Sequence, residues 1–356
     1  MTQKHLLHVF PTFAVGGSQM RFAQLVRLHG ARYRHTVIAL DGKVDMAARL
    51  AGLPVTSHAL AFDKRKTFES WRLFGATLRD LKPDVLFTYN WGAIEWAMIN
   101  WLGLGVPHIH VEDGFGPEEA RTQLKRRVWT RRLALSGRGT LVVLPSRNLE
   151  KIALDVWALP SKRVRFIPNG IDCPRFAAPA HVDTGKTVIG TVASLRQEKN
   201  IARLIQAFAG IAAGSDVFEL LIVGDGAERP GLEDLARSLN IANQVRFAGQ
   251  SDRPEDWYCR MDIFALSSDT EQMPLSVLEA MAAGLPVVAT AVGDVAQMVA
   301  PENGAYIVPA DSFAAALARL VGDKAARDVT GRANQKKARE TFDENVMATR
   351  YAELIG

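Results

Sequence analysis

The sequence predicts an α/β protein of two doubly wound, parallel-sheet domains that face a cleft, and three observations predict it. Short runs rich in Val, Ile and Leu alternate with amphipathic stretches, the pattern of strands buried on both faces and covered by helices. The alternation stops over residues 169–186, which hold Gly170, Pro174, Pro179 and Gly185 without sustained periodicity, and then restarts. The chain has 356 residues, comfortable for two cores and long for one.

In the first half, strands are expected at residues 6–13, 35–40, 85–89, 108–111, 140–145 and 164–168, with helices at 19–29, 68–81 and 118–135. In the second half they are expected at 187–193, 220–223, 245–247, 263–266, 286–289 and 305–308, with helices at 201–212, 230–239, 275–283 and 312–320. The stretch 325–354 reads as helix throughout. The expected domains are therefore 1–175 and 176–335, with 336–356 a C-terminal helix returning toward the first. Two such domains imply a cleft, where ligands of these folds collect.

Composition narrows the function. An apolar fraction of 48% with 23% charged residues describes a globular protein rather than a disordered one. Cys173 and Cys259 are far apart and form no C-x-x-C pair, which argues against a disulfide framework or a zinc site. The apolar stretch after Lys4 is broken by His8 and Pro11, so no signal peptide is expected and a cytoplasmic location is. Residues 274–292 are interrupted by Glu279, Gly284 and Pro286 and read as helix, turn and strand rather than a membrane span. No Asp-x-Asp, His-Glu-x-x-His or other ligand cluster occurs, and no metal or cofactor is expected. Gly185-Lys186-Thr187 has alanine where a P-loop needs its first glycine, at position 180.

The formal charge of +5 is concentrated in the first half. One cluster is Lys64-Arg65-Lys66; the denser one is Arg121, Lys125, Arg126, Arg127, Arg131, Arg132 and Arg138. Leu124, Val128, Trp129 and Leu133 interleave with the second, an interfacial pattern. The expectation is peripheral binding to an anionic membrane surface through Lys125, Arg126, Arg127, Arg131 and Arg132. An ordinary solvated basic helix is the alternative. No nucleic-acid module accompanies the charge, so no nucleic-acid partner is expected.

The residues with chemistry lie at strand ends. After the strand ending at Leu266 comes a polar loop, Ser267 to Met273, and Pro274 then suits the first position of a helix. The unpaired N–H groups near Leu275 and Ser276 make a positive helix end fit for a phosphate or a sugar hydroxyl. Glu271 precedes that helix, and Glu279 lies about 7–8 Å down its axis from Pro274. Two carboxylates so placed can touch separate parts of one extended ligand. Gly284 and Pro286 end the helix.

Glu271, seven residues, Glu279, and the tail Ala280-Met281-Ala282-Ala283-Gly284-Leu285-Pro286-Val287-Val288 resemble the family-4 retaining glycosyltransferases (glycosyl transferases group 1). Their fold is GT-B, two Rossmann-like domains. The resemblance implies that Glu271 and the residues after it, Met273, Pro274, Leu275 and Ser276, bind the donor sugar, and that Glu279 binds the nucleotide ribose. Glu271 also counts as a catalytic candidate. The usual Gly-Phe after the first Glu is Gln272-Met273 here. In Ser194-Leu195-Arg196-Gln197-Glu198-Lys199, Lys199 matches the family's phosphate-binding lysine. Ser194 stands at the usual arginine position and Arg196 is the nearest replacement. Gly224 and Gly226 match a Val-Gly-x-Gly turn beside the nucleotide, and Gly16-Gly17 matches a loop that meets the donor phosphate, where glycine permits positive φ. The family's His-Gly appears here as Asp113-Gly114, so its histidine is either replaced by Asp113 or displaced to His110. Glu112 and Asp113 are the acceptor-binding candidates.

The resemblance implies a metal-independent enzyme that moves a hexose from a UDP- or GDP-sugar to a glycan or lipid-linked acceptor in polysaccharide or lipopolysaccharide synthesis. Two other readings stand beside it. A sugar-nucleotide epimerase of the same fold would release an altered sugar without an acceptor. A non-catalytic homologue serving as a binding subunit would hold the donor without turnover.

Overall fold

The computed structural model describes residues 3–59, 67–115, 119 and 122–356. Lys64, Arg65, Lys66, Glu118 and Arg121 lie outside the described residues. The chain divides into two compact units, Met1–Pro168 with Met347–Gly356, and Asn169–Val346.

The first unit has a sheet of seven strands: β1 Lys4–Phe10, β2 Tyr33–Ala39, β3 Val55–Ala59, β4 Val85–Tyr89, β5 His108–Val111, β6 Thr140–Leu144 and β7 Val164–Phe166. Their order is β3-β2-β1-β4-β5-β6-β7, all parallel, and it reverses between β1 and β4. Alternate residues of β1 feed opposite faces. Leu6 and Phe10 pack with Phe22, Val37 and Phe87; Leu7 and Val9 pack with Ile38, Phe74 and Trp96.

The second unit has six parallel strands: β8 Thr187–Val192, β9 Phe218–Val223, β10 Val245–Gly249, β11 Ile263–Leu266, β12 Val287–Thr290 and β13 Ile307–Val308. The order is β10-β9-β8-β11-β12-β13, reversing between β8 and β11. Here too two cores lie on the two faces. Ile189, Ile263, Ala265 and Val288 enter one; Val188, Phe264, Leu266, Val287 and Ala289 enter the other. Chains leaving β8 and β11 for opposite faces open a crevice at their carboxyl ends, where doubly wound sheets take ligands.

The division falls at Pro168/Asn169, ahead of the 175/176 expected. The Ile171 amide donates to the Phe342 carbonyl at 2.8 Å, and Cys173 and Phe176 are buried with Tyr258 and Phe264, which binds this segment to the second unit. The expected helix over 325–354 is two helices, Lys324–Thr341 and Glu344–Ile355. The Asp343 side chain accepts from the Asn345 amide at 2.9 Å and starts the second helix anew. The return to the first unit begins at Met347 rather than 336: Met347, Ala348, Tyr351 and Ile355 pack with Phe10, Phe22 and Tyr33.

The basic helix runs from Lys125 to Leu135, and residues 122–124 of the expected span are not helical. Its cations separate by face. Lys125, Arg126 and Arg132 are exposed, whereas Arg131 is fully buried and Arg127 turns toward Glu119 at 3.3 Å, so neither Arg127 nor Arg131 is available to a membrane surface. Among the described residues no helix is long and apolar enough to cross a membrane.

Candidate functional site

The loop after β8 is shaped by its neighbour after β9. A Cβ on Gly224, whose φ is +138°, would collide with the Ala193 carbonyl, and one on Gly226 with the Leu195 carbonyl. Glycine at both positions lets the two loops touch. The Leu195 amide donates to the Asp225 carbonyl at 2.9 Å and Gly224 N–H to the Gly249 carbonyl at 2.8 Å. Beside them is a concavity of about 230 Å³ lined by Ser194, Gly224, Asp225, Gln250, Ser251 and Pro254 among others. Asn200, at φ +44°, then caps the helix Ile201–Ala212 by accepting from the Arg203 amide.

The loop after β11 meets the loop after β8 through charge. Lys199 Nζ donates to Glu271 Oε1 at 2.5 Å, and Ser268 Oγ donates to the same oxygen at 2.8 Å. Glu271 Oε2 has no hydrogen-bond partner among the described residues. Arg203 donates to the Ser267 carbonyl at 2.6 Å and to Asp269 at 2.7 Å, and Ser267 Oγ donates to the Lys199 carbonyl at 3.1 Å. Thr290, at the end of β12, donates to the Ser268 carbonyl at 2.6 Å. The Asp294 amide donates to the Gln272 carbonyl at 2.9 Å, and the carbonyls of Glu271 and Gln272 fill the space of a Cβ on Gly293. Ser268, Arg203, Thr290 and Gly293 thus fix Glu271. The sequence reading did not select them; the only signal was a serine pair directly after a buried strand.

The helix Leu275–Ala282 opens at Pro274 without a side-chain cap, and the Leu275 and Ser276 amides make no backbone bond. Glu279 lies further along it, half-buried, with Oε2 accepting from Tyr258 Oη at 2.6 Å. Burial pushes the Glu279 pKa above the ordinary carboxylate value, with the Tyr258 bond and the charge of Arg175 opposing. Met273 is buried with Val277, Met281 and Val295, so its side chain packs the loop onto the core. Arg196 does not join the Lys199–Glu271 pair; its side chain is 65% exposed and, among the described residues, approaches only Glu198, at 3.7 Å.

In the first unit, Gly16 is extended at φ −165° and caps the helix Gly17–His29, with its carbonyl accepting from the Met20 amide at 2.9 Å. Neither Gly16 nor Gly17 uses the positive φ that glycine permits. The space where a Cβ on Gly17 would lie is open.

At the end of β5 the candidates divide. Thr88 Oγ1 lies 2.8 Å from both His108 Nε2 and His110 Nδ1, and His110 Nε2 is 3.3 Å from Glu112 Oε2. Arg131 lies against Glu112 at 3.4 Å and Glu119 at 3.0 Å, with its guanidinium about 5 Å from the rings of Trp91, Phe115 and Trp157. The side chains of His110, Glu112, Glu119 and Arg131 have no exposed area. Glu112 and His110 are therefore internal, out of reach of an acceptor, because strand pairing and Arg131 draw them inward. Asp113 is the acid at the surface. Arg21 grips it with two bonds, 2.5 and 2.8 Å, and its amide donates to Asn90 Oδ1 at 2.8 Å. Asn90 itself sits at φ +55°, a strained backbone for a non-glycine residue.

Two family descriptions cover most of the chain: "Glycosyltransferase Family 4" over residues 15–175 and "Glycosyl transferases group 1" over residues 175–337. The chain is 32% identical over 316 residues to an exopolysaccharide phosphotransferase of Streptomyces coelicolor, covering 86% of this chain and 32% of that one. It is 27% identical over 264 residues to a GDP-mannose-dependent alpha-mannosyltransferase of Mycolicibacterium smegmatis, covering 70% and 67%. The chain thus spans about a third of the first relative's length and two thirds of the second's. Anabaena HepE, solved in complex with UDP-glucose, superposes with a TM-score of 0.75 at 16% identity over 98% of both chains, which shows the shared fold, GT-B. The chain belongs to the group 1 glycosyltransferases.

Proposed function

We propose that the chain is a retaining hexosyltransferase that uses a UDP- or GDP-sugar and a glycan or lipid-linked acceptor in cell-surface polysaccharide or lipopolysaccharide synthesis. The observation that carries the reading is the shared oxygen of Glu271. Lys199 and Ser268 hold Oε1, which leaves Oε2 for a sugar hydroxyl beside the uncapped amides of Leu275 and Ser276. Glu279 Oε1, with no bond of its own among the described residues, accepts from the ribose. Gly224 and Ser194 border the concavity offered to the nucleotide, and exposed Arg196 is free to swing to a phosphate. The mannosyltransferase and the UDP-glucose complex support a nucleotide-sugar donor.

In the reaction, the bond from the anomeric carbon to the diphosphate breaks and the acceptor oxygen bonds to that carbon on the same face. The acceptor proton passes to a departing phosphate oxygen. Lys199, Arg196 and the helix end meet the charge that develops there, without a metal. Asp113, fixed by Arg21 and Asn90, is the acceptor contact, while His110 and Glu112 position the loop from inside.

The acceptor reading includes peripheral docking on the cytoplasmic face of an anionic membrane. Exposed Trp129 and Leu133 share a helix face with Lys125, Arg126 and Arg132, and Trp101 and Leu102 are exposed at the end of a neighbouring helix. Co-sedimentation with vesicles of phosphatidylglycerol, and none with phosphatidylcholine alone, is the expected result; equal binding to neither removes this element.

The test of the transferase reading is nucleotide release from UDP-, GDP- and ADP-sugars without added metal, by the wild type and Glu279→Ala. One donor hydrolysed by the wild type and spared by the variant supports it. An inverted anomer in the product, read by NMR, overturns retention.

A further inference from the structure

Glu279 is constrained in direction as well as in charge. Tyr258 closes the short helix Glu255–Tyr258 and is fully buried, its ring 5.6 Å from that of Phe176 and 5.8 Å from that of Phe264. Packing on both sides fixes the ring, and the ring fixes the hydroxyl. That hydroxyl lies 2.6 Å from Glu279 Oε2 and 3.2 Å from the Ser276 carbonyl. It has one proton, and the shorter contact with the stronger acceptor takes it. The nearby cation, Arg175, is committed elsewhere, to Glu255 at 2.7 Å. Tyr258 is therefore the one described side chain that bonds to Glu279.

We infer that Tyr258 is a positioning residue for donor binding. By occupying Glu279 Oε2 it turns Oε1 outward as a fixed acceptor for a ribose hydroxyl, and its bond favours the ionised form of the half-buried carboxylate. This rests on the ribose role proposed for Glu279. The physical need is plain. A carboxylate with two free oxygens rotates and protonates when desolvated; one oxygen held by a rigid phenol does both less readily. Burial raises the Glu279 pKa and the Tyr258 bond lowers it, so loss of the phenol moves the carboxyl toward its neutral form.

The experiment measures binding of UDP, GDP and ADP, of their 2′-deoxy and 3′-deoxy counterparts and of inorganic pyrophosphate, to wild type, Tyr258→Phe and Glu279→Gln. The wild type is expected to prefer one ribonucleotide over its deoxy form. In Tyr258→Phe the ribonucleotide weakens by roughly tenfold or more, as for a lost hydrogen bond to a charged group. The deoxy form and pyrophosphate bind as before, and the acid limb of the binding profile moves to higher pH. Should Tyr258→Phe not be recovered folded, 3-fluorotyrosine at 258, a stronger donor of the same shape, is expected to move that limb to lower pH. Two failures are distinguishable. If Glu279→Gln loses the preference for ribose and Tyr258→Phe keeps it with an unshifted pH profile, the positioning role is overturned. If Glu279→Gln also keeps the preference, the ribose role of Glu279 falls and the inference falls with it.

Discussion

Lys199 and Glu271 form an ion pair: Nζ lies 2.5 Å from Oε1, at the junction of the loops that follow β8 and β11. The cation proposed for a diphosphate and the acid proposed for a sugar hydroxyl are therefore not independent. Removing either frees the other to reorient. Lys199→Ala and Glu271→Ala are each expected to lower kcat/KM by about 10²- to 10³-fold, typical for the loss of a charge-stabilising group. In the double variant the losses should fall well short of the product, because contacting residues couple. A double-mutant cycle on kcat/KM checks this; strictly multiplicative losses would show two separate binding elements.

Gly293 supports the same loop from beneath. It has φ +53°, and the carbonyls of Glu271 and Gln272 occupy its Cβ position. Gly293→Ala must strain its backbone and push Glu271 away from Lys199. Donor affinity should fall about tenfold or more, with a stability loss of roughly 1–3 kcal/mol. Gly210→Ala is the control. Gly210 lies inside the helix Ile201–Ala212 with open space around it, so alanine there should raise stability by about 0.5–1 kcal/mol. Thermal melts with and without nucleotide separate the two effects.

What could be read in the sequence follows from where each signal resides. The parallel strands were legible because largely apolar runs such as residues 263–266 and 140–144 are buried on both faces. β3, Val-Thr-Ser-His-Ala, was not. It is a half-exposed edge strand without an apolar run, and it exists because β2 offers it hydrogen bonds. Glu271, Glu279 and Lys199 were legible because a spacing carried them. Tyr258, Thr290 and Gly293 reach the same site from other parts of the chain, and only the strand order brings them there. The inward turn of Glu112 depends on Arg131, nineteen residues on, and no local pattern reveals it.

Arg131 is the charge on which the first unit's β5 loop depends. Its guanidinium lies among three aromatic rings and faces two carboxylates, Glu112 and Glu119, with no exposed side-chain area on any of the three charged groups. Burial pushes Glu119 up, but Arg131, with the Leu124 amide and Arg127, outweighs it and holds its pKa below the ordinary value. Arg131→Met leaves buried Glu112 without its arginine and Glu119 with Arg127 alone, and a loss of about 3–5 kcal/mol is expected. Lysine should rescue little, since one ammonium cannot span both carboxylates as the planar fork does. The neighbouring Arg132→Ala, on the exposed face, should change stability by less than about 0.5 kcal/mol. Urea midpoints of the three variants test the contrast.

Acid should weaken the first unit before it protonates most carboxylates. His8, His35 and His108 are buried in its sheet, with His8 Nε2 3.0 Å from His35 Nδ1 and His108 bonded to Thr88 and Thr140. Burial lowers the His8 pKa well below 6.5, that of His35 to about 4 and that of His108 to about 3. In the unfolded chain each takes a proton near 6.5. Above that value both states are neutral and the stability is fully present. As pH falls below it, the unfolded state binds protons that the folded state refuses, so stability drops until the folded pKa is passed. The slope is about 1.4 kcal/mol per pH unit for each histidine refused. The urea midpoint should therefore decline from pH 6.5 toward 4, and His108→Asn should decline less steeply over that range. A midpoint flat down to pH 5 would mean that the folded histidines accept protons, and that the bonds joining His8 to His35 and His108 to Thr88 rearrange to hold the charge.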